Sequence, residues 1–200
     1  MTTNAQGVAV SSPLPKGKYT VKESGLPTGY TGSLVSLDCE VKSDETTELK
    51  AANQPIQFKV KIVKSDALTK EPLAGAEFTI TRKSGLPSHN GKGNGEVVAT
   101  LTTDAKGEAV SDLLTWGEYE VKESKVPVNF IDKHYTATVE GKENNKTYTL
   151  TVENEPMKGW IQLTKTDKLD GTPIAGVVFD IYQGRTKVGS MTTNAHGIAK

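Results

Sequence analysis

Hydrophobic and polar residues alternate along much of this chain. Phe58, Val60 and Ile62 alternate with Gln57, Lys59 and Lys61; Tyr119 and Val121 with Glu118, Glu120 and Lys122; Leu150 and Val152 with Thr149 and Thr151. A period of two marks a strand with one face in a core, because successive side chains of an extended backbone point to opposite faces. Clusters such as Ser-His-Asn-Gly-Lys-Gly-Asn-Gly at 88–95 mark the turns between strands. No window carries a helical stripe with caps. Short strands with turn signals about every ten residues predict an antiparallel β-sandwich. The 25 Thr and 18 Val agree with this, since β-branched side chains fit a pleated, half-buried surface better than a helix.

The pattern also repeats. TTNAQG (2–7) returns as TTDAKG (102–107) and TTNAHG (192–197). GKYTVKESGLPTGY (17–30) returns as GEYEVKESKVPVNF (117–130), with Glu23 and Glu123 in equivalent places. KIVKSDALTKEPLAGAEFTI (61–80) is matched by QLTKTDKLDGTPIAGVVFDI (162–181), with Lys64 and Lys165 equivalent, and ANQP (52–55) by ENEP (153–156). Ordered together, these give an all-β chain of tandem Greek-key sandwiches. One complete unit, residues 56–156, is flanked by the C-terminal half of a preceding unit (1–55) and the N-terminal half of a following one (157–200). Strands left short of partners by this phase would be completed by a longer parent chain, or by the two ends within or between molecules.

Extending each alternation by one step puts three polar residues on the inner face: Lys64 after Ile62, Glu123 after Val121 and Asn154 after Val152. The partial units repeat the phase in Tyr19, Val21, Glu23; in Leu49, Ala51, Asn53; and in Ile161, Leu163, Lys165. A single strand-end lysine usually snorkels to water. A buried amine facing a buried carboxyl is different, because each ion costs several kcal/mol to desolvate unless it is paired or neutralised. Burial lowers the pKa of a lysine and raises that of a glutamate, leaving a neutral nucleophile beside a proton donor. With a carboxamide at hand, these are the ingredients of an amide exchange: the amine attacks the Asn carbonyl carbon, the acid shuttles protons, and ammonia leaves.

Composition narrows the function classes. With 24 basic and 24 acidic residues the formal charge is zero, which argues against a nucleic-acid partner. Mean hydropathy is −0.43 and no apolar run has the length of a membrane span. The N-terminus lacks the features of a signal peptide, so an exported protein would be represented here by a piece. The single cysteine, Cys39, excludes an intramolecular disulfide; its phase with Leu37 and Val41 predicts a small buried core residue. His89, His134 and His196 show no metal-ligand spacing and read as loop residues. GKGNG (91–95) lacks the order of a phosphate loop and reads as a hairpin tip. LPTG (26–29) misses one residue of the LPxTG sortase signal, and Asn145-Lys146-Thr147, which fits the glycosylation pattern, reads as a plain loop. Neither a cofactor nor a metal is expected.

Taken in order, KSD (64–66), PLAGAEF (72–78), TTDAKG (102–107), YEVKE (119–123) and VEN (152–154) resemble the collagen-adhesin B-type (Cna-B, SpaA-type pilin) domain across essentially the whole chain. The resemblance implies an immunoglobulin-like or prealbumin-like sandwich in a stalk or pilin of a Gram-positive surface protein. It therefore implies an extracellular location at the bacterial surface, with neighbouring domains of the array as partners. It also implies a self-formed Lys–Asn isopeptide bond assisted by an acidic residue. Carried over by position, Lys64 is the nucleophile, Asn154 the acceptor and Glu123 the catalytic acid. The first partial unit holds an acid (Glu23) and an acceptor (Asn53) with its lysine before residue 1; the last holds only Lys165. One departure is VPVNF (126–130), where the family ends in Pro-x-Gly-Tyr, kept in the first unit as Pro27-Thr28-Gly29-Tyr30. The chain reads as a structural protein with a single-turnover cross-link and no turnover substrate. Two rival functions follow from the same residues. An exposed loop such as 88–96 would contact a host or cell-surface ligand, or residues 157–200 of one molecule would complete 1–55 of another, with Lys165 joining Asn53 under Glu23.

Overall fold

The computed structural model describes residues 1–86 and 91–200. His89, and the first part of the 88–96 loop, lie outside the described residues. The chain separates into two compact units, Met1–Pro156 and Met157–Lys200.

In the first unit the strands are β1 (Gly17–Lys22), β2 (Tyr30–Thr31), β3 (Ser36–Val41), β4 (Gln54–Pro55), β5 (Gln57–Asp66), β6 (Glu77–Gly85), β7 (Val97–Thr102), β8 (Glu108–Val110), β9 (Leu114–Thr115), β10 (Gly117–Lys125), β11 (Thr136–Gly141) and β12 (Lys146–Asn154). Residues 57–154 form a two-sheet sandwich. One sheet has the order β11-β10-β6-β7; the other has β12-β5-β8, with β9 also pairing β5. Neighbouring strands within these sheets pair antiparallel except at one place: β5 and β12, the first and last strands of the sandwich, run parallel side by side.

The period-two reading of these strands is what the core contains. Phe58, Val60 and Ile62 from β5 meet Phe78 and Ile80 from β6 and Tyr119 and Val121 from β10 in one buried cluster. Phe58 sets its ring edge-on to Tyr119, with centroids 5.6 Å apart, and to Tyr148 at 5.4 Å. Gly141, at the end of β11, gives the Phe58 ring its room, because a Cβ there would fall 1.8 Å from Phe58 Cε1. Gly141→Ala is therefore expected to overpack the core and lower stability by about 1–3 kcal/mol, read from the urea midpoint; an unchanged midpoint would show that the ring has other space.

Strand pairs before and after the sandwich in sequence repeat pairings found within it. β1 pairs β3 from Gly17↔Val41 to Lys22↔Ser36, just as β10 pairs β11 from Gly117↔Gly141 to Lys122↔Thr136. The second unit contains β13 (Leu163–Thr164), β14 (Val178–Gln183), β15 (Thr186–Thr192) and β16 (Ile198–Ala199). Its β14–β15 pair, with Phe179 opposite Met191, corresponds to β6–β7 with Phe78 opposite Leu101. The Asx turn of the repeated Thr-Thr-Asn/Asp motif recurs three times: Asn4, Asp104 and Asn194 each accept backbone N–H bonds from the residues two and four positions on.

Two local expectations are corrected. The alternation Leu49, Ala51, Asn53 forms no strand, and Leu49 is exposed. Its counterpart β12 takes its whole ladder from β5, whereas no such strand lies beside 46–53 among the described residues. Cys39 is half-buried instead of a core residue. Its counterpart Val139 is buried in the core between the two sheets, whereas among the described residues the β1–β3 pair is a separate two-stranded sheet with no residue in that core.

Candidate functional site

Lys64, Glu123 and Asn154 arrive from β5, β10 and β12 at one end of the sandwich, with 0%, 3% and 1% of their surface exposed. Strand parity puts them there. Lys64 sits opposite Val152 in the parallel ladder, so Asn154, two residues on, is its diagonal neighbour on the same inner face. Glu123 faces in from the other sheet, beside Phe78 in register. The ring of Tyr135 stands edge-on to Phe78, and the Tyr135 carbonyl accepts the Glu123 N–H at 3.0 Å.

The backbone around Lys64 is fixed on both sides. Its N–H donates to the Gly107 carbonyl at 2.8 Å and its carbonyl accepts from Leu73 N at 3.0 Å. Gly107 adopts φ +71, and a Cβ on it would lie 2.2 Å from the Lys64 carbonyl oxygen, so the last residue of the repeated turn must be glycine for the lysine strand to close in. Asp66 caps the turn after β5, accepting from Leu68 N at 2.6 Å and Thr69 N at 3.2 Å. The Leu68 bond above all holds its carboxyl below the ordinary range.

The side-chain polar groups are only partly satisfied. Lys64 Nζ donates to the carbonyls of Val152 (3.2 Å) and Ser65 (3.4 Å). Asn154 Nδ2 donates to Glu123 Oε2 and to the Ile131 carbonyl, each at 3.2 Å. Glu123 Oε1 and Asn154 Oδ1 are buried without a partner. Burial pushes the Lys64 amine down, against the pull of Glu123, Glu153 and Asp66. Burial likewise pushes the Glu123 carboxyl up, against the Asn154 hydrogen bond and Lys64, with Asp132 adding to the rise. Both shifts favour the uncharged pair: an amine with a free lone pair and a carboxyl that keeps its proton. That arrangement can move an acyl group from nitrogen to nitrogen.

The other sequence-predicted residues form incomplete sets. Asn53 Nδ2 donates to Glu23 Oε1 at 2.6 Å, and Glu23 Oε2 accepts from Val35 N at 3.1 Å; both side chains are half-buried. Lys165 is half-buried in the same backbone frame as Lys64: N–H to the Gly197 carbonyl at 2.7 Å, carbonyl to Ile174 N at 3.0 Å, and Nζ to the Thr166 carbonyl at 3.4 Å. The departure at 126–130 keeps the turn of the first unit. Asn129 takes φ 71 where Gly29 has φ 87, and Phe130 N reaches the Pro127 carbonyl as Tyr30 N reaches that of Pro27. Asparagine tolerates the left-handed region better than other side chains, so the exchange leaves the loop intact.

Three contributors escaped the sequence reading. Phe78 lies in an inward phase that could have placed it beside Glu123; Tyr135 follows a loop whose length hides its register; and the Ile131 contribution is a backbone carbonyl with no side-chain signature. No group of three or more His, Cys, Asp or Glu is arranged to hold a metal among the described residues. His134 is exposed and meets Asp132 at 3.2 Å, and His196 is exposed on its turn. No helix among the described residues is long and apolar enough to cross a membrane.

A family model described as "SpaA: Prealbumin-like fold domain" matches residues 1–55 and 58–156. Among solved structures the chain is similar to the Bacillus anthracis TIE protein, at 32% identity and a TM-score of 0.80, covering 98% of this chain and 36% of that one. Among curated proteins it is 26% identical over 145 residues to the trypsin-resistant surface T6 protein of Streptococcus pyogenes serotype M6, covering 65% of this chain and 25% of that protein. It is 30% identical over 102 residues to the collagen adhesin of Staphylococcus aureus, covering 50% of this chain and 8% of that protein. The chain thus spans a quarter or less of the curated relatives it matches.

Proposed function

The chain belongs to the SpaA prealbumin-like fold domain family, and from that premise we propose that it is a structural segment of a Gram-positive cell-surface stalk or pilus-like fibre, stapled by an isopeptide bond between Lys64 and Asn154. The observation that carries this reading is the meeting of Lys64, Glu123 and Asn154 in one dry interior, with burial favouring the neutral form of both ionisable groups. Lys64 Nζ attacks Asn154 Cγ while Glu123 gives its proton to Oδ1. The carboxylate so formed takes a proton from the attacking nitrogen, passes one to Nδ2, and recovers its own from Oδ1 as the carbonyl re-forms. The Nζ–Cγ bond forms, the Cγ–Nδ2 bond breaks, and nitrogen leaves as ammonia. No acid is consumed, and the protein is its own single-turnover substrate.

The staple has a mechanical rationale. It joins the ends of β5 and β12, so tension entering near residue 56 and leaving near 156 crosses from strand to strand without loading the rest of the sandwich. Extracellular placement and assembly with neighbouring domains of an array follow from the same reading. Intact mass under denaturing conditions tests it: a mass lower than the sequence by one ammonia is expected, and a full mass in mature protein would end the cross-linking account.

The Asn53–Glu23 contact favours a second reading. An acid already bound to an amide, in a segment whose lysine is not beside it, is what a split site presents, and Lys165 has the backbone frame of the missing nucleophile. Copies would then join head to tail through Lys165 and Asn53. A covalent ladder on a denaturing gel, lost in Lys165→Ala, is its signature; a single band rejects it.

A further inference from the structure

The segment between β10 and β11 runs beside Glu123 and Asn154, and it is pinned at several points. Phe130 bridges to Pro156, Ile131 N donates to the Glu155 carbonyl at 2.9 Å, and Lys133 pairs with the Glu155 carboxylate at 2.6 Å. On the far side the Tyr135 carbonyl holds Glu123 N. The result is a backbone carbonyl, that of Ile131, fixed 3.2 Å from Asn154 Nδ2.

A carboxamide has a donor end and an acceptor end of nearly the same shape, and something must decide which end faces which neighbour. Glu123 cannot decide alone, because a protonated carboxyl offers one donor and one acceptor and fits either end. A peptide carbonyl only accepts. Placing Asn154 Oδ1 against it would oppose lone pairs in a buried site, so the Ile131 carbonyl accepts the amino end and rejects the oxygen. With Nδ2 held between Ile131 and Glu123, Oδ1 is left without a partner in the interior, free for the acid proton.

We propose that the Ile131 carbonyl is the positioning group of the cross-linking reaction: it orients the Asn154 carboxamide and then accepts from the departing nitrogen as that nitrogen gains its third hydrogen. This rests on the cross-linking reading above. When Nζ–Cγ forms and Cγ–Nδ2 breaks, positive charge builds on Nδ2 before ammonia leaves, and a fixed carbonyl dipole beside it stabilises that charge without reorganising. The free carbonyl oxygen at the other end meanwhile receives the Glu123 proton. One backbone oxygen thus sorts the two ends of the amide into leaving group and proton acceptor.

The test weakens this acceptor without moving a side chain. The full chain is assembled in denaturant with an ester in place of the 131–132 peptide bond, which makes the Ile131 carbonyl a poorer acceptor. The Asp132 N–H lost with it makes no hydrogen bond among the described residues. The control carries the ester one bond later, at 132–133. Refolding starts the clock, and ammonia loss is followed by intact mass. The 131–132 ester is expected to react about five- to tenfold more slowly than the all-amide chain, as loss of one modest hydrogen bond implies, and the control at the unaltered rate. Equal rates for all three, or equal slowing in both esters, would overturn the proposal. An all-amide chain that loses no ammonia would instead remove the cross-linking reading itself, and this inference with it. A second measurement does not depend on the ester folding. In unlinked Lys64→Met, a scalar coupling across the hydrogen bond from Asn154 Nδ2 to the Ile131 carbonyl carbon is expected by NMR. A folded spectrum without that coupling would place the amide the other way round and overturn the assignment.

Discussion

Lys64→Met is expected to give a folded chain of full sequence mass that unfolds about 4–5 kcal/mol more easily than the native protein, the loop-closure value for a link across about 90 residues. Methionine fills much of the lysine channel and carries no charge, so the change reports the missing staple more than a packing defect. Asn154→Ala should cost more, because it leaves both the amine and the acid buried without the amide that sat between them. Denaturant melts with the mass measured on the same samples check both. A Lys64→Met midpoint equal to that of native protein would mean that no bond had formed.

The same variant has a definite pH dependence. Burial raises the Glu123 carboxyl above its ordinary value of 4.5, and removing Lys64 takes away a charge that pulled it down. A carboxyl raised in the folded state contributes stability that is complete below its ordinary value and is lost as pH climbs through the raised one. Lys64→Met is therefore expected to be more stable at about pH 5 than at about pH 8. The double variant Lys64→Met/Glu123→Gln should lose that difference, and an unchanged slope in the double variant would assign it to other groups.

Glu123→Gln should stop the chemistry while leaving the fold. Glutamine keeps a hydrogen-bonding group beside Asn154 Nδ2 but cannot carry a proton between amine, carbonyl and leaving group. General acid–base assistance is worth about 10²–10⁴-fold, so a chain that loses ammonia promptly on refolding becomes one that keeps its full mass over the same interval. Glu123→Ala is expected to keep its full mass for the same reason. Prompt ammonia loss in either variant would refute the role given to Glu123.

Much of this geometry is legible because strand parity is a local property. Phe58, Val60 and Ile62 count forward to Lys64, and Tyr119 and Val121 to Glu123, without knowledge of what lies opposite. What parity cannot supply is the partner. Leu49, Ala51 and Asn53 have the same alternation as their counterparts in β12, yet they form no strand, because a ladder needs a second edge. Cys39 has the phase of Val139 but not its place in the core between the two sheets. The Ile131 carbonyl is hidden for another reason: side-chain identity carries no information about where a backbone oxygen ends up. Asn129 shows the reverse case, in which a departure from the motif changes nothing because asparagine can adopt the backbone angle that glycine had.

Because β5 and β12 lie parallel with Lys64 and Asn154 at their shared end, the proposed bond would close the residues between them into a loop off the line of pull. Paid out, that stretch would lengthen the molecule by about 300 Å at roughly 3.3–3.6 Å per residue. Tied off, it adds nothing. A string of such units would behave as inextensible links and not as a shock absorber, handing a sudden tug at one end to whatever anchors the other.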